Sequence, residues 1–406
     1  MTTSPRIGYL IPEFPGQTHI FFWREIMALE RMGIAVSLFS TRPPPKGLIA
    51  HKWSEEAMAR TEYLGAVDAV SAAKTALSVA PTTYARDVLR EGKELGRDIA
   101  MTSAAARLLW QSCRRQGVTH IHAHSCGRAA LVAMLAQRMG GPSYSLTLHG
   151  PMSDYGPGQR LKWRHAKFAT VITEKLNALL PAQLGADKPK RVFVQPMGVD
   201  PNVLTRDIPY QTYTGKEPLH LFSCARLNIV KGHQDLIDAV KTLRDKGIDV
   251  RLKIAGEDDD GGSGFRKVLE DKIAELDLGS AVTLLGAISA EEVRRNLLEA
   301  HLFVLASWHE PLGVAYMEAM SCEVPTIGTN AGGVPELIRH GIDGLLTEPQ
   351  NPRALAAAIQ LLATSPKDTM QLGKAGRARI LDRFDCRKGA ELIARESLDL
   401  SISKQI

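Results

Sequence analysis

The chain has 406 residues, enough for two domains that each bury a core of their own. Hydrophobic residues make up 44% and charged residues 23%, and 34 Gly with 22 Pro exclude collagen-like and disordered classes. A formal net charge of +6 is compatible with phosphates, anionic lipid or nucleic acid as partners and selects none of them.

The five cysteines, Cys113, Cys126, Cys224, Cys322 and Cys386, are odd in number and lack any CxxC spacing. That argues against a disulfide framework or a zinc site and for a cytoplasmic location. The apolar run Ile7–Ile11 is too short for a signal-peptide core. Nowhere do about 18 apolar residues run uninterrupted, so any membrane contact is expected to be peripheral.

In chain order, Ile7–Ile11 reads as a buried strand, Phe21–Arg31 as a helix with Gly33 at its C-terminal cap, and Val36–Phe39 as a strand ended by Pro43-Pro44-Pro45. A long helical tract, about 66–116, is interrupted at Pro81 and Gly92. It carries Arg86, Arg90, Lys93, Arg97, Arg107, Arg114 and Arg115 among Leu, Val and Ala. That pattern is either a pair of amphipathic helices with solvated basic faces or a surface that lies on the inner, anionic face of a membrane.

Strands resume at Ile121, Ser145–Leu148, Val171–Thr173 and Val192–Val194. The Pro- and Thr-rich stretch Asp200–Pro218 reads as a linker. A second βα series follows. Its strands are Leu219–Ala225, Val250–Ala255, Val282–Leu285, Leu302–Leu305 and Thr326–Gly328. Its helices are Gln234–Lys246, Phe265–Leu276, Glu291–Glu299 and Val314–Met320. The expectation is α/β: two Rossmann-like, doubly wound parallel-sheet domains with their strand carboxyl ends facing a central cleft.

The strongest chemical signal runs from Leu305 to Pro325. A strand end, a loop holding Glu310, and a helix starting near Gly313 with Glu318 on its second turn would leave the backbone N–H groups of Leu312, Gly313 and Val314 available to an anion. Gly313 allows close approach to the backbone. The two carboxylates, eight residues apart, suit sugar hydroxyls, and the bland alternative is a helix cap and a structural acid. After the first strand of the second series, Arg226 and Lys231-Gly232 offer a planar fork and a point charge for a diphosphate leaving group. Two surface cations are the competing reading.

Gly332-Gly333 is a turn beside the same loop. His149 follows a first-domain strand at its carboxyl end, and Gly16 lies in the loop after the first strand. No GxGxxG follows that strand, which argues against a dinucleotide oxidoreductase. Asp258-Asp259-Asp260-Gly261-Gly262 lacks EF-hand spacing and reads as a solvated turn. No nucleic-acid motif appears, so nucleic acid is not an expected partner.

These motifs together resemble glycosyltransferase family 4, a retaining family with the GT-B fold. The resemblance rests on Glu310…Glu318 as an E-x7-E pattern, Arg226…Lys231-Gly232, Gly332-Gly333-Val334-Pro335-Glu336 and Gly344-Leu345-Leu346, all in the family's order. It spans nearly the whole chain and is strongest over Leu219–Leu346. The N-terminal Tyr9–Pro15, Phe22–Ile26 and His120-Ile121-His122-Ala123-His124 are similar to the colanic-acid and exopolysaccharide branch. Gln17-Thr18-His19-Ile20-Phe21 replaces that branch's Ser/Thr-Glu-Thr-Phe.

The resemblance implies a hexosyl transfer from a UDP- or GDP-sugar to a glycan or lipid-linked saccharide. The acceptor domain would be 1–205, joined by a returning helix at about 388–406, and the donor domain 206–387. Arg226 and Lys231 would bind the donor diphosphate, Glu318 the ribose, and Glu310 with the Pro311–Val314 segment the sugar. His149 would touch the sugar and Gly16 would line the donor side. No metal or other cofactor and no side-chain nucleophile are implied. A non-catalytic nucleotide-sugar-binding partner subunit is the alternative.

Overall fold

A computed structural model describes residues 5–44, 51–65, 81–258 and 264–399. The expected helical tract before Pro81, Pro45, the Asp259–Gly262 part of the acidic turn and the chain beyond Asp399 lie outside the described residues. The chain forms two compact units. The first holds the N-terminal part to Pro196 and takes back the chain from Arg387. The second centres on Met197–Cys386.

The first unit is built on seven parallel strands: β1 (Arg6–Glu13), β2 (Ala35–Arg42), β3 (Thr61–Tyr63), β4 (His120–Ala123), β5 (Ser143–Leu148), β6 (Ala169–Val171) and β7 (Val192–Val194). Their order is β3-β2-β1-β4-β5-β6-β7. Central strands are covered on both faces, which is why β1 reads as a near-continuous apolar run and Ile7, Tyr9 and Leu10 are fully buried. The helix Arg128–Arg138 packs an unbroken buried stretch, Ala129–Ala136, against this sheet. Its alanines let the helix come close to the strands.

The second unit has six parallel strands: β8 (Leu219–Cys224), β9 (Val250–Ala255), β10 (Val282–Gly286), β11 (Leu302–Val304), β12 (Thr326–Thr329) and β13 (Leu345–Thr347), in the order β10-β9-β8-β11-β12-β13. Its core joins Leu221, Leu252, Ile254, Val304 and Ile327 to the helices His233–Asp245 and Pro352–Thr364. Each such Leu, Ile or Val contributes about 1.5–3 kcal/mol through burial.

Strand order reverses once in each sheet, between β1 and β4 and between β8 and β11. In open α/β sheets that reversal splays the following loops apart and leaves room for a ligand at the strand carboxyl ends.

Three readings shift. Thr173 accepts a hydrogen bond from the Leu176 N–H and caps the helix Glu174–Leu184, so the expected strand at Val171–Thr173 ends at Val171. The stretch read as a linker packs into the second unit, because the Tyr210 hydroxyl donates to the His301 carbonyl at 2.6 Å and Arg206 donates to the Leu298 carbonyl at 3.3 Å. The helix Trp53–Arg60, β3 and β13 were not among the expected elements.

Candidate active site

Three segments of the second unit leave the carboxyl ends of three adjacent strands, β8, β11 and β12. After β8 the backbone is pinned by Ala225 N–H to the Ala255 carbonyl (3.0 Å) and Leu227 N–H to the Glu257 carbonyl (3.0 Å). A short 3-10 turn, Ile229–Lys231, then enters the helix His233–Asp245 through Gly232. Gly232 has φ +67°, and a Cβ there would stand 1.9 Å from the Ala306 carbonyl oxygen. Only glycine lets this turn lie against the segment that follows β11. Trp308 joins the same two segments, its N–H donating to the Val230 carbonyl (2.8 Å) and its indole N–H to Asp235 (2.6 Å).

Lys231 and Glu310 meet across this junction, with Nζ 2.5 Å from Oε2 and each side chain 12% exposed. Ser307 Oγ stands 3.4 Å from the same carboxylate. The Gly332-Gly333 turn after β12 cradles the Glu310 backbone. Gly333 N–H donates to the Glu310 carbonyl (2.9 Å), and a Cβ on Gly332 (φ +61°) would lie 2.0 Å from that oxygen.

Gly313, with φ +99°, precedes the helix Val314–Ser321. Among the described residues the N–H groups of Leu312, Gly313 and Val314 have no acceptor, which leaves three donors at a helix start beside an ammonium group. Pro311 is half-buried, and Leu312 packs inward at 5% exposure. Glu318 lies one turn into this helix. Burial, and then the Glu318 carboxylate, push the Cys224 thiol up to about 12, which places Glu318 beside the end of β8, two residues ahead of Arg226. Beneath the same turn the fully buried His233 ring sits against the Ala225 and Arg226 backbone, and burial holds its pKa down at about 4.

The second unit thus brings Lys231, Glu310, Pro311, Leu312, Gly313 and Val314 to one junction, with Glu318 beside the end of β8 and the exposed Arg226 two residues after that strand end. The chemical result is a concentrated set of anion donors and carboxylate acceptors. Gly16 and His149 belong to the first unit. Gly16 makes room for the His19 ring, since a Cβ there would stand 2.5 Å from it. Rings link His19 through Phe22 to His149, with centroids 5.4 Å and 5.6 Å apart. Burial, and then the neighbouring His124 and His19, hold the His149 pKa well below its usual range.

Residues 207–379 match the family described as glycosyl transferases group 1. The chain carries a domain of the glycosyl transferases group 1 family. All of Arg226, Lys231, Glu310, Glu318 and Gly332 fall inside this group 1 domain.

The chain is 32% identical over 219 residues to the amylovoran biosynthesis glycosyltransferase AmsK of Erwinia amylovora, covering 51% of each chain. It is 29% identical over 235 residues to the D-inositol 3-phosphate glycosyltransferase of Pseudarthrobacter chlorophenolicus, covering 56% of this chain and 54% of the relative. The match therefore spans about half the length of these two curated relatives. A longer match, 25% identical over 404 residues, covers 94% of this chain and 96% of the putative colanic acid biosynthesis glycosyltransferase WcaL of Escherichia coli.

Among solved structures, Anabaena Alr3699/HepE in complex with UDP aligns with a TM-score of 0.72 at 19% identity, over 97% of this chain and 100% of that one. Sucrose-phosphate synthase from Thermosynechococcus elongatus aligns with a TM-score of 0.73 at 20% identity, over 98% and 100%. These likenesses establish the GT-B fold around the group 1 domain.

Sequence reading missed the cross-ties that fix the group 1 site: His233, Ser307 and the Trp308–Asp235 hydrogen bond. Ser307 and Trp308 lay inside the strongest motif, and their nearness to Glu310 was the available signal. It also missed the partners of His149. His120, His122 and His124 alternate along β4 and so share one face, which marks them as a set. His120 lies between the Ser143 and Ser145 hydroxyls (2.8 Å each), and His122 between Ser145 (2.6 Å) and Thr147 (2.8 Å).

Among the described residues no three His, Cys, Asp or Glu side chains converge as a metal would require, and no helix is long and apolar enough to cross a membrane. On the first unit the helices Pro81–Glu91 and Lys93–Gln116 expose Arg86, Arg90, Lys93, Arg97 and Arg107, which form no ion pair with any described residue. Leu89 is 88% and Met101 51% exposed among them. Arg114 lies over Trp110, and Arg115 pairs with Glu62 at 3.3 Å.

Proposed function

We propose that the chain is a retaining glycosyltransferase that moves a hexosyl group from a UDP- or GDP-sugar to a glycan or lipid-linked saccharide in surface-polysaccharide synthesis. The observation that carries this reading is the Lys231–Glu310 contact next to three amides, at the start of Val314–Ser321, that have no acceptor among the described residues. The relatives' names and the UDP complex of a protein with the same fold lend further support.

In this reading the second unit is the donor domain and the first the acceptor domain. Arg226 and Lys231 hold the diphosphate, whose charge grows as the glycosidic C–O bond breaks, and the Leu312–Val314 amides add fixed donors aimed at it. Glu318 accepts from the ribose hydroxyls and Glu310 from the sugar hydroxyls. Pro311 shapes the backbone between them, and His149 and Gly16 complete the donor contacts. These cations and amides supply the electrostatics, so no metal is assigned. No side chain is placed as nucleophile. The leaving phosphate oxygen takes the acceptor's proton on the face it departs from.

The protein works in the cytoplasm, with its exposed arginine-rich helices on the anionic face of the membrane. Calorimetric titration with UDP and GDP, followed by turnover over a panel of UDP- and GDP-sugars, tests the proposal. Donor binding with no turnover across the acceptor panel identifies a non-catalytic partner subunit instead. Full turnover by folded Glu310→Gln removes the role given to Glu310.

A further inference from the structure

Glu25 sits on the helix Ile20–Arg31 at 3% exposure. Its partners among the described residues are the Tyr9 hydroxyl, which donates to Oε2, and the His124 ring, whose Nε2 lies 3.2 Å from Oε2. No described Lys or Arg pairs with it. Gly389 of the returning helix leaves the space for it, since a Cβ there would stand against Oε1. On the far side of the same ring, His124 Nδ1 lies 3.3 Å from His149 Nε2. Tyr9, Glu25, His124 and His149 therefore form one polar chain at the β1/β4 reversal of the first sheet.

A carboxyl group buried without a cation is costly, and an apolar side chain at position 25 would avoid that cost. The arrangement has one evident chemical output. Each imidazole in the chain has two nitrogens, and fixing the proton on one fixes it on the other.

We propose that Glu25 is a positioning residue that, through His124, decides which ring nitrogen of His149 carries the proton. With Glu25 protonated, its carboxyl O–H donates to His124 Nε2. His124 Nδ1–H then donates to His149 Nε2, and His149 Nδ1 keeps its hydrogen as an outward donor. With Glu25 ionised, its proton has passed to His124 Nε2, the His124 Nδ1 proton has passed to His149 Nε2, and the His149 Nδ1 proton has left to solvent. One proton is lost in total, and His149 Nδ1 changes from donor to acceptor. Burial holds Glu25 up at about 8, so the donor form prevails in neutral solution.

The other titratable groups facing the chain are Tyr9 from β1, His122 from β4, whose ring centroid is 4.5 Å from that of His124, and His19 beside His149. From the returning helix, Gly389 stands against the Glu25 carboxyl group.

The proton placement stands apart from the proposed transfer, and only its effect on turnover rests on that reading. The test compares the full-length protein with Glu25→Gln, which keeps a donor toward His124, and Glu25→Leu, which does not. Ring nitrogen shifts of 15N-histidine-labelled protein, assigned with His124→Gln and His149→Gln, report the tautomers. We expect Nδ1–H at His124 and His149 in the wild type and in Glu25→Gln, and mixed tautomers in Glu25→Leu. His120 and His122, held by hydroxyls, stay as they are. Turnover of a donor sugar by Glu25→Leu falls about 10- to 100-fold in kcat with little change in KM, and Glu25→Gln recovers most of it.

If Glu25→Leu does not fold, the same spectra taken across pH 8 decide. The wild-type tautomers move to Nε2–H and those of Glu25→Gln stay. Unchanged tautomers in Glu25→Leu, or Glu25→Gln shifting in step with the wild type, overturn the proposal. Tautomers that respond as described in a protein without transferase activity refute only the proposed function.

Discussion

Lys231 Nζ lies 2.5 Å from Glu310 Oε2, and the two residues stand 79 positions apart in the chain. One follows β8 and the other β11, so adjacent parallel strands deliver opposite charges to one point. Removing one partner strands the other charge in a place 12% exposed, whereas removing both leaves nothing to solvate. Lys231→Ala and Glu310→Gln are each expected to lower donor turnover about 10²- to 10³-fold. Lys231→Ala should also cost about 1–3 kcal/mol of stability. The double variant Lys231→Met/Glu310→Leu should recover most of that stability and none of the turnover. Denaturant unfolding and a donor assay on the same preparations check both halves. A double variant whose stability loss is the sum of the singles argues against direct coupling of the pair.

Gly332 and Gly341 separate backbone strain from steric clash. Both have positive φ, +61° and +74°, but a Cβ meets the Glu310 carbonyl in the first and nothing within 4 Å in the second. Gly341→Ala should cost about 1 kcal/mol, the left-handed penalty alone. Gly332→Ala should cost more and should weaken nucleotide binding about tenfold or further, because the loop carrying Glu310 has to move. Equal effects on binding by calorimetry would mean that the Gly332 turn does not shape the site.

The second sheet was legible because its central strands are buried on both faces and read as apolar runs between glycine turns. The expected Leu302–Leu305 ends one residue earlier, at Val304, and Thr326–Gly328 gains only Thr329. β3 and β13, each three residues long, lie at sheet edges, where too few buried positions accumulate to show a period. At the site, glycines and paired charges near strand ends were visible. The Lys231–Glu310 contact was not, because it depends on which strands are neighbours. Glu25 carried a readable signal that went unused. It falls on the stripe of Phe22, Ile26 and Leu29, the buried face of its helix, where a carboxyl group is out of place.

The same residue governs a pH dependence of stability. Glu25 is held at about 8 in the folded protein against an ordinary 4.5. Its folded pKa is raised, so its stabilising contribution is complete below about 4.5 and is lost as pH rises toward 8. His120 and His124, pushed down to about 3 by burial from 6.5, act in the other direction, with stability lost as pH falls below 6.5 toward 3. The Glu25→Gln variant keeps the histidine effect and removes the carboxyl one. The wild-type Tm should therefore fall relative to that of Glu25→Gln between pH 5 and pH 8, by roughly 2–4 °C for each kcal/mol involved. Thermal unfolding at half-unit pH steps reads the difference, and a constant offset would show that Glu25 ionises as it does in the unfolded chain.

The exposed cations of the first unit allow a sharper test of membrane docking than their number suggests. On the helix Lys93–Gln116, Lys93, Arg97, Arg107 and Arg115 fall on the side opposite the buried Leu95, Ile99 and Leu109, and Met101 and Leu108 lie among them. A stripe that is cationic and apolar at once matches a lipid surface, where charge attracts and the apolar side chains enter the headgroup layer. Each cation near an anionic surface contributes about 1 kcal/mol, so reversing Arg90, Arg97 and Arg107 to Glu should cost at least about 3 kcal/mol, more than 100-fold in partitioning. Phosphatidylcholine vesicles containing phosphatidylglycerol should sediment with the wild type and not with the triple variant. Raising salt should weaken the wild type and leave the triple variant unaffected, since it screens surface charge beyond about 8–10 Å. Leu89→Ser with Met101→Ser should weaken binding without changing its salt dependence, which separates insertion from attraction. Equal, negligible sedimentation of all three proteins ends the docking proposal and leaves the arginines as a solvated face.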